Sequence, residues 1–477
     1  SMSSIAQSLR APTAAGARAS SCFSRARAAG AFVAAPAAGF GPSMARTVPR
    51  GSALSASTAA PSGPRPVRVK ASSAPSAAAT RLAEVERALP GGATLRVAIN
   101  ADGSGKCDNR TTLPFLDHML DQLGTHGLFD VSVVVEGRGD DATDDDINAA
   151  AGSAVGEAYN LAGVTSSLPT PVQFLSPLDE SVTDVTVELS GKAHLDYGLV
   201  IPTSRVGQYQ TRLVQDFFAN LVEAAGITLH LRSVDHPGKG NSHHVIEATF
   251  KAFARAMRKA IDQLDALQPL GVVAGGVVRT GGLKRGTKET QIDLEVTIDG
   301  KGTCDSDSMI PFLDTMLAAV ARESGTSLRV KAVGDIHIDD HHTNEDLSIV
   351  LGQAMKQALG DCKGINRMGS ATATVDGATV QVTLDLSGRP HLGYDLEFED
   401  ELIGTYDTQL VEHLYQSFAN SSGTTLHVRQ LAGGAGSEAV AMAAAVAFGQ
   451  ALRMGTQYDE RRMGAIASSK GVLEGFA

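Results

Sequence analysis

The sequence contains no tryptophan, and only 5% of its 477 residues are aromatic. Its cores are therefore predicted to consist mainly of Ala, Val and Leu side chains. No run of about 20 apolar residues occurs, so the sequence predicts no membrane-spanning helix. The four cysteines are scattered: Cys22, Cys107, Cys304 and Cys362. They form no CxxC pair, which argues against a thiolate zinc site and against a disulfide framework.

The first 71 residues contain no acidic residue, although they hold nine Lys and Arg. They are rich in Ala, Ser, Pro and Gly, which is the composition of an organelle transit peptide, and the dominance of Ser, Ala and Pro favours the chloroplast stroma. A disordered basic tail is the alternative. The formal charge is −11 for the chain and −20 without those nine positive charges. A body this acidic argues against a nucleic-acid partner.

The remaining sequence contains a tandem repeat of about 200 residues. The segment PFLDHML at residues 114–120 returns as PFLDTML at 311–317. We therefore divide the chain into a transit segment, repeat one, a Gly-rich joint and repeat two, at residues 1–71, 79–274, 275–282 and 283–477.

Each repeat contains two similar successions of strand and helix patterns. Alternating segments such as LRVAIN (95–100) and QIDLEVTID (291–299) predict the first strands, and amphipathic segments such as TRLVQDFFANLVEAAG (211–226) predict helices. The chain thus comprises four related half-units. We predict an α+β fold in which the helices of each half-unit cover one face of its β-sheet, rather than a doubly wound parallel sheet.

The repeats differ in their potential metal ligands. Four ligands occur only in repeat one: His118, His243, His244 and Glu247. They are replaced in repeat two by Thr315, Glu438, Ala439 and Met442. Four others occur only in repeat two: His341, His342, Glu345 and His413. At a constant shift of 197 residues their counterparts are Asp144, Asp145, Asn148 and Asp216. Random decay of a duplicated gene would not be expected to divide one set this way, so the split predicts two four-ligand sites that form only where repeats meet.

The spacing of these residues suits metal binding. His341 and Glu345 are four residues apart and would project from one face of a helix, where they can chelate one ion, while His342 points about 100° away and can serve a second. His243 and Glu247 repeat this spacing. An isolated His pair is more often exposed or capping, but two such segments strengthen the metal interpretation. Ligation by nitrogen and oxygen suits Mn, Fe, Co, Ni or Zn.

Several polar side chains are also confined to one repeat, and together they could hold a phosphate, with Arg making bidentate contacts. Our candidates for this role are Lys251, Arg367, Arg389, Ser468 and Lys470, and Gln122, which repeat two replaces with Ala319, is a further substrate-binding candidate. A further carboxylate, Glu289, lies in the segment KRGTKET (284–290), which repeat one has lost.

The motifs RGTKET, FLDHMLDQLGTHG, HIDDHHTNED, DLSGRP, HHVIEATFKA and SSKG resemble those of imidazoleglycerol-phosphate dehydratase. The resemblance covers residues 80–477, with one match in each repeat. It implies a subunit of two similar halves, a shell of 24 subunits and two Mn²⁺ ions per active site between subunits. Twelve chains of two repeats would fill such a shell. The residue-by-residue match implies that the eight split residues bind metal.

The resemblance implies dehydration of imidazole glycerol phosphate to imidazole acetol phosphate, with a phosphorylated imidazole as the bound small molecule. Glu289, Glu247 and Glu345 remain alternative candidates for the catalytic carboxylate that moves the proton. A different class of function is also considered: a diverged dehydratase fold retained as a non-catalytic scaffold. The scaffold hypothesis does not explain why each of the eight ligands is kept in one of the two repeats.

Overall fold

The four half-units share one order of strands and helices in the computed structural model of the chain, and the second half-unit of each repeat adds a two-stranded ribbon. The structure describes residues 81–137, 141–165, 168, 170–234, 238–264 and 278–473. The transit segment 1–71, the first three residues of the joint 275–282 and the first two residues of repeat one lie outside these described residues.

Repeat one is built from two successive half-units. The first contains β1 (Leu82–Ala88), β2 (Thr94–Asn100), β3 (Cys107–Arg110), α1 (Pro114–Gly127), β4 (Asp130–Glu136) and α2 (Asp144–Leu161). The second contains β5 (Val172–Leu178), β6 (Ser181–Glu188), β7 (His194–Gly198), β8 (Arg205–Val206), β9 (Tyr209–Gln210), α3 (Arg212–Ala225), β10 (Thr228–Ser233) and α4 (Ser242–Leu264).

Repeat two follows the same plan. Its first half-unit contains β11 (Thr280–Gly286), β12 (Thr290–Thr297), β13 (Cys304–Asp307), α5 (Pro311–Ser324), β14 (Ser327–Gly334) and α6 (His341–Leu359). Its second contains β15 (Met368–Val375), β16 (Ala378–Asp385), β17 (His391–Asp395), β18 (Leu402–Ile403), β19 (Tyr406–Asp407), α7 (Gln409–Ser422), β20 (Thr425–Ala432) and α8 (Ser437–Thr456).

Each half-unit forms one four-stranded mixed sheet. The strand orders are β1-β2-β4-β3, β5-β6-β10-β7, β11-β12-β14-β13 and β15-β16-β20-β17. The last pair in each sheet is parallel and the other pairs are antiparallel. Within each repeat, helices from the two half-units pack on one another, α1 with α4 and α2 with α3, as do α5 with α8 and α6 with α7. The predicted α+β class, with repeated half-units, is confirmed.

The hydrophobic pattern of the sequence did not predict the first strand of either repeat. We placed the opening strands at 95–100 and 291–299, but β1 and β11 precede them as edge strands. Repeat two consequently begins by Thr280, inside the predicted joint. The sequence of β11, TGGLKRG, has little of the β-branched character of a strand. It pairs through its backbone, and Gly281 lies so close to the α6 backbone that a Cβ atom would meet the carbonyl oxygen of Ala354.

Each repeat has its own hydrophobic core, one formed within residues 83–261 and the other within residues 292–473. The cores are largely aliphatic, as predicted, although phenylalanines cluster between the helices of repeat one. Among the described residues, one helix, α8, is long and apolar enough to cross a membrane by length and composition alone. Because 72% of its apolar window is buried inside the protein, it has the environment of a core helix.

The two repeats of one chain also contact each other. Strand β5 of repeat one packs against β15, β16 and β20 of repeat two. Two arginines that follow α8 reach across this interface: Arg461 pairs with Asp262 at 2.6 Å, and Arg462 donates to the carbonyl oxygen of His126 at 2.8 Å. The C-terminal segment of repeat two is thereby held against α1 and α4.

Candidate active site

Three ligand candidates of repeat one meet where α1 packs against α4. His118 lies on α1, and His243 and Glu247 lie one turn apart near the start of α4. Their ligand atoms all lie within 4.8 Å of one another. Oε2 of Glu247 is 3.0 Å from Nε2 of His243 and 3.6 Å from Nε2 of His118. We call this group the repeat-one triad.

The carboxylate of this triad is ionised and partly enclosed. Burial alone would raise the pKa of Glu247, but hydrogen bonds from His118 and His243 and the charge of Lys251 hold that pKa well below its ordinary value. Lys251 Nζ lies 2.8 Å from Oε1 of Glu247, so the two carboxylate oxygens face different partners. A deprotonated carboxylate beside two imidazoles is a donor set that a divalent ion requires.

Three ligand candidates of repeat two form a second group between α6 and α7. His341 and Glu345 lie one turn apart on α6, His413 lies on α7, and their ligand atoms are again within 4.8 Å of one another. The rings of His341 and His413 have centroids 4.5 Å apart. The His341 and Glu345 side chains are 41% and 39% exposed, so this repeat-two triad is an open surface feature.

The starts of helices α2 and α6 differ in their side-chain hydrogen bonds. In α2, Thr143 and Asp146 form a capping box, with Oγ1 of Thr143 accepting from the Asp146 N–H at 3.2 Å. The N-cap residue of α6, Asp340, makes no such side-chain bond, and two histidines follow it. At the start of α6, Oδ1 of Asp339 instead accepts a hydrogen bond from the His341 N–H at 3.0 Å.

One histidine of each HH pair lies outside its triad. Nδ1 of His342 is 3.0 Å from Asp335, and this hydrogen bond raises the pKa of the His342 ring. Nδ1 of His244 is 2.9 Å from Glu180. The described chain therefore brings together three of the four predicted ligands of each repeat. The fourth points away, as the 100° offset of adjacent helical residues requires.

Two residues of the His244 environment were missed in the sequence. Asp179 and Glu180 form the turn between β5 and β6, and with His244 they place ligand atoms within 4.8 Å of one another. Nε of Arg389, from repeat two, donates to Asp179 at 2.8 Å. The corresponding turn of repeat two ends in Gly377, so Glu180 follows the same one-sided retention as the ligands. The absence of Glu180 from repeat two could therefore have identified this residue from the sequence.

All six predicted substrate-binding residues line one cleft between the two repeats of the chain. Repeat one supplies Gln122 and Lys251, and repeat two supplies Arg367, Arg389, Ser468 and Lys470. The repeat-one triad borders the cleft through Glu247. We call it the oxyanion pocket, because its walls carry four cationic side chains and hydroxyl donors, which suit a phosphate.

Several polar side chains in the oxyanion pocket are held in place by one group while keeping hydrogen-bonding capacity for another. Asp385 binds Nε and Nη2 of Arg367 at 2.6 and 2.7 Å, which fixes that guanidinium. Nη2 of Arg389 and Oε1 of Gln122 are buried without a hydrogen-bond partner in the described structure. Because an unpaired buried polar atom costs free energy, these atoms indicate a polar ligand. The hydroxyl facing Gln122 is that of Ser469, at 3.0 Å, rather than that of Ser468.

His126 also lines this pocket, and the sequence analysis did not select it. The ring is fully buried, and neither ring nitrogen has a hydrogen-bond partner in the described structure. Burial first, and then the neighbouring charges of Lys251, Arg255 and Arg367, lower its pKa well below the ordinary value. A neutral ring can accept a hydrogen bond from a ligand as well as donate one. The aligned residue of repeat two is Glu323, so the rule of one-sided retention would have found His126.

The three candidate catalytic carboxylates lie in different environments. Glu247 and Glu345 belong to the repeat-one and repeat-two triads. Glu289 is exposed in the turn that joins β11 to β12. The pKa of His342 is raised first by its hydrogen bond to Asp335, against the opposing effect of burial, and then by the negative charge of Glu289. Glu289 is thus the one of these three that is close to a ligand histidine without belonging to either triad.

The structure corrects the alignment of α2 with α6. Asn148 and Asn344 play the same role: Nδ2 donates to a carbonyl oxygen of the next helix, at 2.8 and 3.0 Å, and Oδ1 accepts from a tyrosine hydroxyl. The shift here is 196 residues, not 197. The counterparts of His341, His342 and Glu345 are therefore Asp145, Asp146 and Ala149. Our assignment to Asp144, Asp145 and Asn148 was wrong because a constant shift misses compensating one-residue changes in two loops.

The position in repeat one that corresponds to the repeat-two triad is occupied by an arginine. Arg212 donates to Asp145 at 2.5 and 2.8 Å and lies 3.3 Å from Asp216. Asp145 and Asp216 are the counterparts of His341 and His413, and Arg212 corresponds to Gln409. A guanidinium bridges the two positions that correspond to His341 and His413, and Ala149 replaces the glutamate, so the described residues form no comparable triad there.

Comparison with known proteins agrees with this tandem organisation. The family described as Imidazoleglycerol-phosphate dehydratase matches the chain twice, at residues 111–257 and 308–452. The chain is 54% identical over 195 residues to the chloroplastic imidazoleglycerol-phosphate dehydratase of Pisum sativum, an alignment that covers 41% of this chain and 69% of that protein. It is 51% identical over 197 residues to the enzyme of a Synechococcus strain, covering 41% and 98%.

Solved structures of the same description also match. The crystal structure of imidazoleglycerol-phosphate dehydratase from Staphylococcus aureus is 29% identical in sequence, with a TM-score of 0.35, and the match covers 38% of this chain and 99% of that chain.

Proposed function

The chain belongs to the imidazoleglycerol-phosphate dehydratase family, and we propose that its activity resides in one composite site to which both repeats contribute. It is a hydro-lyase of histidine biosynthesis that removes water from imidazole glycerol phosphate. The observation that supports a composite site is the complementary retention of ligands. Repeat one keeps His118, His243 and Glu247 as a triad, and repeat two keeps the other triad.

The donor sets fit two divalent ions, which we propose to be Mn²⁺. Each triad offers two imidazoles and one carboxylate, and no thiolate is among them. Such ligands suit manganese and leave positions for a further histidine and for substrate. His244 and His342 are the proposed additional ligands. Bound there, the two ions would hold the substrate imidazole as imidazolate and one substrate hydroxyl, storing negative charge.

The side chains around the triads position the substrate and move its proton. The oxyanion pocket would bind the phosphate through Lys251, Arg367 and Arg389, with Ser468, Lys470 and Gln122 completing its walls. Anchoring the phosphate fixes the direction of the substrate C–H bond. We propose Glu289 as the group that accepts this proton, because Glu247 and Glu345 are engaged as ligands.

The scaffold alternative is not favoured. A protein that had lost catalysis would have no reason to keep unpaired donors such as Nη2 of Arg389 beside an intact ligand triad. Repeat one shows how a ligand group can be lost in this chain, because Arg212 binds Asp145 at the place that corresponds to the repeat-two triad.

Metal content tests the composite site directly. The purified chain should bind about two Mn²⁺ ions, because the eight ligands form two sites, whereas two complete dehydratase units would bind four. Mass spectrometry of metals after dialysis gives the ratio, and a dehydratase assay on the same sample gives the activity. Four bound ions per chain, or activity that survives complete metal removal, would contradict the proposal.

We further propose a large assembly in the chloroplast. Twelve copies of the 49.4 kDa chain would occupy 24 subunit positions, for a mass of about 600 kDa before any processing. The plant relatives are named chloroplastic. We expect the mature N-terminus near residues 70–75, at the end of the predicted transit segment 1–71. N-terminal sequencing of native protein should find it there, and a start at residue 2 would exclude the transit peptide.

A further inference from the structure

Two cationic side chains of the oxyanion pocket are each held by a carboxylate of their own repeat. In repeat one, Oε1 of Glu247 lies 2.8 Å from Nζ of Lys251. In repeat two, Asp385 accepts from Nε and Nη2 of Arg367 at 2.6 and 2.7 Å. Arg389 lines the same pocket, and its carboxylate partner comes from the other repeat.

This partner of Arg389 is Asp179 of repeat one. Oδ1 of Asp179 accepts a hydrogen bond from Nε of Arg389 at 2.8 Å, which restricts the rotation of the guanidinium. Nη2 of Arg389 is buried without a hydrogen-bond partner in the described structure. Because a guanidinium carries five N–H donors, the aspartate can engage Nε while Nη2 stays available for a ligand.

The turn that carries Asp179 is itself fixed against repeat two. It joins β5 to β6, and the β5 residues Ser176 and Leu178 just before it are buried. Nε2 of His427, from repeat two, lies 2.7 Å from the Asp179 carbonyl oxygen. A carbonyl oxygen only accepts, so the histidine ring donates this bond. Repeat two therefore holds in place the aspartate that binds its own arginine.

The same turn in repeat two carries an aspartate in different surroundings. Asp376 lies between β15 and β16, and its φ of 46° matches the 48° of Asp179. Both angles are in the left-handed region, which aspartate adopts more readily than most residues. Asp376 is exposed, whereas the side chain of Asp179 is 27% exposed beside Arg389. The two turns share their backbone geometry and differ in what the aspartate faces.

Asp179 has two effects on phosphate binding, and they have opposite signs. Its negative charge repels a phosphate. Its hydrogen bond holds Arg389 in one orientation, so that less side-chain freedom is lost when the phosphate binds. A substitution that removes both effects at once shows which of them is larger.

A cation site is the alternative role for this aspartate. Asp179, Glu180 and His244 place ligand atoms within 4.8 Å of one another. The contact with Arg389 argues against a cation held by Asp179, because the guanidinium already places a positive charge there. Glu180 faces His244 instead, with its carboxylate 2.9 Å from Nδ1 of that ring.

We propose that Asp179 is a positioning residue for the dehydration, acting on the substrate phosphate through Arg389. The carboxylate does not touch the substrate. It orients the guanidinium so that Nη2 is available to a phosphate oxygen, and it does so from repeat one for a side chain of repeat two. This role rests on the proposed function, because it requires that the oxyanion pocket bind the substrate phosphate.

The variant Asp179→Ala tests this role in the full chain purified with Mn²⁺. Titration calorimetry with inorganic phosphate should show about 10-fold weaker binding, the loss expected for one hydrogen bond between charged groups. The KM for imidazole glycerol phosphate should rise by a similar factor. The kcat should fall by less than about 3-fold, because Lys251 and Arg367 still hold the phosphate. Unchanged or tighter phosphate binding would show that repulsion is the larger effect and would overturn the proposal.

Two further variants separate orientation from charge and from turn geometry. Asp179→Asn keeps an oxygen that can accept from Nε of Arg389, so it should recover most of the phosphate affinity. Asp376→Ala places alanine in the same left-handed turn of repeat two and should bind phosphate as the wild type does. An asparagine variant as weak as the alanine variant would assign the effect to charge, and an equal loss in Asp376→Ala would assign it to the turn. Either result contradicts the positioning role.

Manganese content and the variant Lys251→Met separate this inference from the proposed function. The manganese content of Asp179→Ala should equal that of the wild type, and a fall would place Asp179 among the metal ligands instead. Phosphate binding that is lost in Lys251→Met but kept in Asp179→Ala would leave the oxyanion pocket standing and remove the role of Asp179. A wild-type chain that binds no phosphate would refute the pocket, and the role of Asp179 with it.

Discussion

His341→Ala and His243→Ala are each expected to lower kcat/KM by about 1,000-fold or more. Each substitution removes an imidazole from a group of three ligand atoms that lie within 4.8 Å of one another. The chain has no reserve copy of either ligand, because the corresponding positions are Asp145 and Glu438. Steady-state kinetics with imidazole glycerol phosphate, and metal analysis of the same preparations, measure the effect.

Matched controls come from the vestigial positions. Thr315 occupies the place of His118, and Asp145 occupies the place of His341. Thr315→Ala and Asp145→Ala should keep nearly full turnover and the same metal content, since neither residue belongs to a ligand triad. The split-site interpretation fails if either histidine variant retains wild-type turnover, or if the vestigial variants lose as much activity as the histidine variants do.

The fold could largely be predicted, because hydrophobic periodicity and the internal duplication indicate the same strands and helices. Strands such as β6 and β16 show clear alternation, and the repeated PFLD segments mark the same helix in both repeats. The edge strands β1 and β11 could not be predicted in this way. Edge strands are held by backbone pairing along one side, and the sequence TGGLKRG carries little pattern of its own.

The candidate site could be predicted to the extent that its residues are kept in one repeat and lost from the other. The rule selected all the members of both triads and all six candidate substrate-binding residues, which line the pocket. Applied more widely, it would also have selected His126 and Glu180. It could not select Asp179, because both repeats keep an aspartate at that position. The role of Asp179 depends on Arg389, a contact between elements more than 200 residues apart.

Which candidate site residues lie at the interface between the two repeats could not be predicted from the sequence. Which triad faces the internal interface depends on how β5 docks on β15, β16 and β20, and that contact leaves no periodic signal. The error in aligning α2 with α6 has a related cause. The hydrogen bonds of Asn148 and Asn344 identify them as equivalent, and these bonds are visible only in the folded chain.

Separating the two repeats should abolish activity in each. Repeat one alone lacks the repeat-two triad, Arg367 and Arg389, and repeat two alone lacks the repeat-one triad and Lys251. Each repeat has its own hydrophobic core, so both are expected to fold when expressed as residues 79–274 and 275–477. Loss of turnover in the separated repeats would then reflect the missing ligands rather than unfolding, which circular dichroism verifies.

Mixing the separated repeats in the presence of Mn²⁺ should restore turnover, because every group of the composite site is then present. Recovery should depend on concentration, since the interface that one chain forms internally becomes bimolecular. Mixing repeat one with a repeat two that carries Arg389→Met should restore metal binding but little turnover, because the ligands are complete and the oxyanion pocket is not. Dehydration by either repeat alone, with its metal bound, would show that four ligands suffice and would end the composite-site interpretation.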